Sequence, residues 1–181
     1  MRDTPPPKNL HELRSFLGLT GYYRKFFWKY ANVAEPLNKL TRSSKKWVWD
    51  NSQQKAFNTL KQSLITAPTL AFPNFEKLFT LYTDASSVGL GAVLSQFIDD
   101  KERVIAYWSN TLSKAQRNYS VTERESLAMT EAIKHFRYYL LGRKFQLVVD
   151  HHSLVFKMTD ANDKLLKMAI RLQEYDFNVV Y

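Results

Sequence analysis

The chain has 181 residues, 45% of them hydrophobic and 24% charged, with a net charge of +9 and no cysteine. This is the balance of an ordinary globular protein of one or two small domains. It excludes disulfides, thiolate nucleophiles and cysteine zinc sites, and no apolar run reaches the ~18 residues that a spanning helix needs. The start, Met1 to Lys8, lacks the apolar core of a secretory signal. Charge is uneven: residues 1–75 hold 12 Lys/Arg against 4 Asp/Glu, whereas residues 76–181 hold 14 against 13. A basic first part points to a polyanion such as nucleic acid, with a plain Lys-rich solvated surface as the alternative.

In chain order, Pro5-Pro6-Pro7 is a stiff non-helical lead. Leu13, Phe16, Leu17, Tyr23, Phe26 and Phe27 recur at helical spacing, and Gly18 and Gly21 predict a break into two short helices near Thr20. Pro36 predicts the first turn of another short helix reaching Leu40. Asp50 with Gln53 reads as a capping box ahead of the stripe Phe57, Leu60, Leu64, and Ala67-Pro68 as that helix's end. Residues 1–75 thus form a small, basic, aromatic-rich helical unit.

The pattern changes at Pro73-Asn74. Leu78–Asp84, Leu90–Phe97 and Arg103–Ser109 alternate as strands, with a turn at Asp99-Asp100-Lys101, and their short links predict an antiparallel meander. A long helix follows from Val121 to Leu141, with Gly142 as its C′ residue. Strand Phe145–Asp150 comes after this helical crossover and should therefore pair parallel, beside the first strand. Helical segments around Ser153–Met158 and Lys164–Glu174 precede a last strand at 177–181. The order βββαβαβ is an α/β layered domain over residues 76–181.

Three acids stand out. Asp84 and Asp150 close the first and fourth strands, and Glu125 extends backwards the apolar stripe Ala128, Ala132, Phe136. Glu123 falls instead on a face with Glu131 and Lys134. Taken singly, each acid is equally a turn or cap residue. Jointly, three carboxylates at one place need a divalent cation between them, and oxygen ligands are what Mg²⁺ prefers. No Gly-x-Ser-x-Gly elbow and no His-Glu-x-x-His helix occurs. His151 and His152 read as rim residues or as plain loop, and His135 as surface.

Several motifs carry a resemblance. Tyr82-Thr-Asp-Ala-Ser-Ser-Val-Gly-Leu-Gly-Ala-Val-Leu-Ser-Gln96 resembles the opening of the ribonuclease H domain of Ty3/gypsy-type long-terminal-repeat retroelement polyproteins. Asn118-Tyr-Ser-Val-Thr-Glu-Arg-Glu-Ser-Leu-Ala128 is similar to its second motif. Phe145-Gln-Leu-Val-Val-Asp-His-His-Ser-Leu154 is similar to the third, and Arg171 to Phe177 to the segment before the last strand. Upstream, Leu13-Arg-Ser-Phe-Leu-Gly-Leu-Thr-Gly-Tyr-Tyr-Arg24 resembles the thumb-side end of the matching reverse transcriptase.

The resemblance implies a ribonuclease H-like mixed sheet of order about 3-2-1-4-5, preceded by a helical thumb/connection unit over 1–75. It implies two Mg²⁺ (or Mn²⁺) ions held by Asp84, Glu125 and Asp150, cutting the RNA strand of an RNA–DNA hybrid. Asp84 would be shared by both ions. Ser86, Ser87, His151, Arg24 and Lys25 are the candidate nucleic-acid contacts, with ordinary turn roles open for the two serines. The partners implied are hybrid or other nucleic acid and the rest of the polymerase polyprotein, with no membrane. The setting implied is intracellular: a cytoplasmic virus-like particle, or the nucleus. The family carries a fourth acid in an Ala-Asp-Ala-Leu-Ser-like segment beyond the position of Tyr181, so the expectation is a truncated domain of impaired activity. A non-catalytic nucleic-acid-binding or structural remnant is the alternative.

Overall fold

The computed structural model describes residues 4–42, 47–66, 70–149 and 163–180. The first unit is helical. Helix α1 (Leu10–Tyr22) starts at Asn9, whose side chain accepts the Glu12 N–H at 2.9 Å. The predicted break at Gly18 does not occur. A helical glycine costs only about 1 kcal/mol, and burial of Leu13 and Phe16 on one face outweighs it. The chain leaves the helix after Tyr22, makes a 3-10 turn at Arg24–Phe26, and enters α2 (Tyr30–Arg42).

Pro36 lies inside α2 rather than opening it. An interior proline costs about 3 kcal/mol. Each fully buried aliphatic side chain contributes about 1.5–3 kcal/mol, so the buried face of Tyr30, Ala31, Ala34 and Leu37 holds the helix through it. Helix α3 (Asn51–Ile65) has the expected capping box: Asp50 Oδ1 accepts the Ser52 N–H at 2.7 Å and Gln53 Oε1 accepts the Asp50 N–H at 3.2 Å. Leu13, Phe16, Ala34, Leu37, Phe57 and Leu60 form this unit's core.

The second unit is a five-stranded sheet, β1 (Phe79–Ala85), β2 (Gly89–Ile98), β3 (Lys101–Thr111), β4 (Lys144–Val148) and β5 (Asp176–Val180). Its order is β3-β2-β1-β4-β5, as the sequence implied. The first three strands are antiparallel; β4 runs parallel to both β1 and β5. The β2–β3 turn places Asp99 and Asp100 at φ 52° and 56°, the left-handed pair a tight hairpin needs. A four-residue helix, α4 (Lys114–Arg117), which the pattern did not announce, precedes α5 (Val121–His135).

Helix α5 stops earlier than expected. Phe136 leaves helical geometry (ψ 15°), and the short α6 (Arg137–Leu140) resumes beyond it, so that both Phe136 and Leu140 are buried. Gly142 follows at φ 71°, the left-handed conformation expected of a C′ glycine. Helix α7 (Asp163–Leu172) packs against α5, and Leu81, Leu94, Ala128, Ala132, Phe145 and Leu172 belong to the shared core. The predicted helical segment at Ser153–Met158 lies outside the described residues. Among those described, no helix is long and apolar enough to cross a membrane.

The two units meet across β2 and β3. Glu35 of α2 is buried and pairs with Arg117 of α4 at 2.9 Å. Ser109 of β3 accepts the Ala31 N–H on its side-chain oxygen at 3.2 Å. Gly89 and Gly91 of β2 face the helical unit: a Cβ on Gly89 would stand 2.6 Å from Asn32 Oδ1, and one on Gly91 would stand 3.4 Å from the Trp28 ring.

Candidate active site

Asp84 sits near the end of β1, opposite Gly91 of β2. Alternation along β1 sends Phe79 and Leu81 into the core under α5, which leaves Asp84 on the face turned to the helical unit. Its side chain is half-buried, and its Oδ2 receives the ammonium of Lys29 at 2.9 Å. Lys29 is the residue at the corner before α2. Its backbone is left-handed (φ 53°), its carbonyl accepts the Asn32 N–H at 2.9 Å, and its Nζ lies 5.4 Å from the centre of the Trp28 ring.

Glu125 is half-buried in α5, which packs on β1 and β2. The helix begins with a capping box in which Ser120 Oγ accepts the Glu123 N–H at 3.2 Å and Glu123 Oε2 accepts the Ser120 N–H at 2.8 Å. Glu123, expected on a solvated face, is instead a largely covered cap residue with Lys164 at 3.5 Å. Beside the two candidate acids, the buried hydroxyls of Thr83 and Ser126 have no hydrogen-bond partner. Asp150, His151 and His152 lie outside the described residues. The strand that leads to them is fixed: β4 pairs with β1 in the register Phe79↔Phe145 to Tyr82↔Val148, and the Val149 N–H continues onto Val180 O at 3.3 Å. Among the described residues no group of three or more metal-ligating side chains gathers.

The polar candidates divide. Ser86 serves its own turn, where its Oγ accepts the Gly89 N–H at 2.9 Å, and it approaches Asn32 Oδ1 to 3.1 Å across the seam between units. Ser87 is exposed. Arg24 donates to Ser109 O and lies over the Tyr30 ring, while Lys25 lies over Phe26. Arg24 and Lys25 line a cleft of about 290 Å³ together with Tyr107, Trp108, Asn110 and His135. His135 is exposed, as read from sequence, and its ring also stacks on Trp108 with ring centres 5.7 Å apart. Burial, and then the charge of Arg24, hold its pKa below the ordinary value of 6.5. A larger cleft of about 520 Å³, between Pro5, Pro7, His11 and Phe57, contains none of the candidate residues.

Lys29 and Trp108 were missed because neither belongs to a spacing that marks chemistry. The one available signal was the basic-aromatic run Arg24-Lys-Phe-Phe-Trp-Lys-Tyr30.

Residues 49–147 match the family described as an RNase H-like domain found in reverse transcriptase. The match begins ahead of α3, so its limits reach back into the helical unit. The transposon Tf2-3 and Tf2-4 polyproteins of Schizosaccharomyces pombe are each 40% identical to the chain over 97% of its residues, and the chain spans 14% of their length. Among solved structures, the foamy viral protease-reverse transcriptase dRH in complex with ds DNA superposes with a TM-score of 0.82 at 17% identity. That match covers 99% of this chain and 33% of the other. The same viral enzyme in complex with RNA/DNA hybrid gives 0.77 at 17% identity, over 99% of this chain and 26% of the other. On its motifs, its sheet order and these matches, the chain belongs to the family of RNase H-like domains found in reverse transcriptases, the kind carried by Ty3/gypsy-type retrotransposon polyproteins.

Proposed function

We propose that this chain is the ribonuclease H-type endonuclease part of a retroelement reverse transcriptase, and that it hydrolyses the RNA strand of RNA–DNA hybrids with two Mg²⁺ or Mn²⁺ ions. The observation that carries the reading is the parallel pairing of β1 with β4, with α5 packed on β1. That pairing supports bringing Asp84, Asp150 and the helix bearing Glu125 to one edge of the sheet. The donor types fit divalent metal: Asp84, Glu125 and Asp150 all offer carboxylate oxygens, the hard ligands that such ions take. When bound, the ions supply an activated water and neutralise charge on the leaving oxygen.

In this reading Asp84, Glu125 and Asp150 would hold the ions, with Asp84 common to both. Arg24, Lys25 and Ser87 face the nucleic-acid backbone, which the excess of Lys/Arg in residues 1–75 attracts. His151 is a further proposed nucleic-acid contact in this reading. The division into a thumb/connection unit (1–75) and an RNase H-like unit (76–181) draws support from the two separate cores. The site would act where the polyprotein meets hybrid, in a virus-like particle or the nucleus.

A second reading, a non-catalytic nucleic-acid-binding module, has one observation in its favour: Lys29 satisfies Asp84 without any metal. Cleavage of a hybrid labelled on its RNA strand, by a protein that extends this chain along the polyprotein past Tyr181, separates the two. The ribonuclease reading predicts Mn²⁺-dependent cutting that EDTA stops and that Asp84→Asn or Glu125→Gln lowers by at least about a hundredfold, the order lost when a principal catalytic charge is removed. Hybrid binding without cutting, or cutting that Asp84→Asn leaves intact, contradicts it.

A further inference from the structure

We propose that Lys29 is a positioning residue of the metal site: an in-chain counter-cation that holds the Asp84 carboxylate and is exchanged for the divalent ion. The proposal rests on the reading of Asp84 as a metal ligand and adds to it a control supplied by the helical unit.

Three observations converge on this corner. Lys29 Nζ touches Asp84 Oδ2 at 2.9 Å, with both side chains partly withdrawn from water (39% and 29% exposed). The ammonium also lies 5.4 Å from the Trp28 ring centre, so it is held between an indole face and a carboxylate. The corner packs over Gly91: the Trp28 ring lies 3.4 Å, and Lys29 Cγ 3.8 Å, from the point where a Cβ on Gly91 would stand. Lys29 holds a left-handed backbone (φ 53°), a conformation that a lysine adopts only where its surroundings impose it. Gly91 is also the residue paired with Asp84 across β1 and β2, so the docking of Trp28 and the placing of Lys29 on Asp84 are one contact.

A cation on a metal-ligand oxygen competes with the metal for it. Apparent metal affinity falls by the fraction of molecules in which the oxygen is free. For a partly exposed ion pair this is a factor of about two to five. Release of Lys29 therefore accompanies metal loading, and a shift of the helical unit on β2 changes how readily the site loads.

Mn²⁺ binding to the intact chain, followed by the loss of the free-ion electron paramagnetic resonance signal without nucleic acid, tests this. Lys29→Gln and Lys29→Gly are both used, since glycine suits the backbone angle and guards against misfolding. Both should bind Mn²⁺ about two- to five-fold more tightly than wild type. Lys29→Arg should not, and neither should Lys55→Gln, which removes an exposed charge elsewhere. Adding Asp84→Asn to Lys29→Gln should erase the gain. If Asp84→Asn weakens binding while Lys29→Gln and Lys29→Gly bind no tighter than wild type, the Lys29 proposal fails and the metal site stands. If Asp84→Asn binds Mn²⁺ as wild type does, or if no variant binds at all, the metal assignment fails and takes the proposal with it.

Discussion

His135 senses both units: its ring stacks on Trp108 of β3, and the like charge of Arg24 of the helical unit acts on it. Both burial and that charge disfavour the imidazolium, so its folded pKa lies below its unfolded one. Stability from this source is fully present above pH 6.5 and is lost as pH falls through the folded pKa. His135→Phe keeps the stack and removes the titration. Denaturant midpoints measured from pH 7.5 down to 5 should fall less steeply for the variant than for wild type; parallel curves would show that His135 is not the group responsible. The residue scale is also where sequence was least informative. Asp84 and Glu125 were found by strand-end position and helical stripe. Lys29, which touches one of them, comes from a corner whose left-handed backbone no spacing encodes.

At the level of elements, local rules held where local energy decides. Asp50 with Gln53 forms the capping box that its spacing predicts, and the turn at Asp99-Asp100 forms where the acids suggest it. The rules failed where packing decides. Gly18 and Pro36 were read as boundaries, yet α1 and α2 run through them because the buried faces around Phe16 and Leu37 outweigh the propensity cost. The break after His135 was invisible for the converse reason: its sequence stays helical in pattern while Phe136 turns inward. Strand β2 makes the strongest demand of any element. Gly89 lies against Asn32, Ala31 and the Asn110 carbonyl, and the Asn32 side chain is itself held by Ser86. Gly89→Ala should destabilise the fold by about 1–3 kcal/mol, the cost of an overpacked contact, by forcing α2 off the sheet. Thermal unfolding reads this, and a melting temperature within a degree of wild type would mean that the seam yields freely.

For the molecule as a whole, the sequence made the sheet order legible. Alternating strands, a helical crossover and the right-handed rule leave few places for β4 other than beside β1. What it left hidden is the seam. The pairs Glu35–Arg117 and Lys29–Asp84 both run between units, and no spacing in the sequence joins either acid to its partner. Because of that seam, the basic helical unit reaches the strand that carries Asp84, so the proposed attraction of a polyanion and the proposed loading of the site would be linked through one contact. Binding of divalent metal by Asp84 and Glu125 is what the proposed function requires. Anomalous diffraction from a crystal soaked in Mn²⁺ measures this most directly. Mn²⁺ peaks are expected in contact with the Asp84 and Glu125 carboxylates, with Lys29 Nζ moved off Asp84 Oδ2; a map with no peak at either acid and the Lys29–Asp84 pair intact would contradict the proposed function.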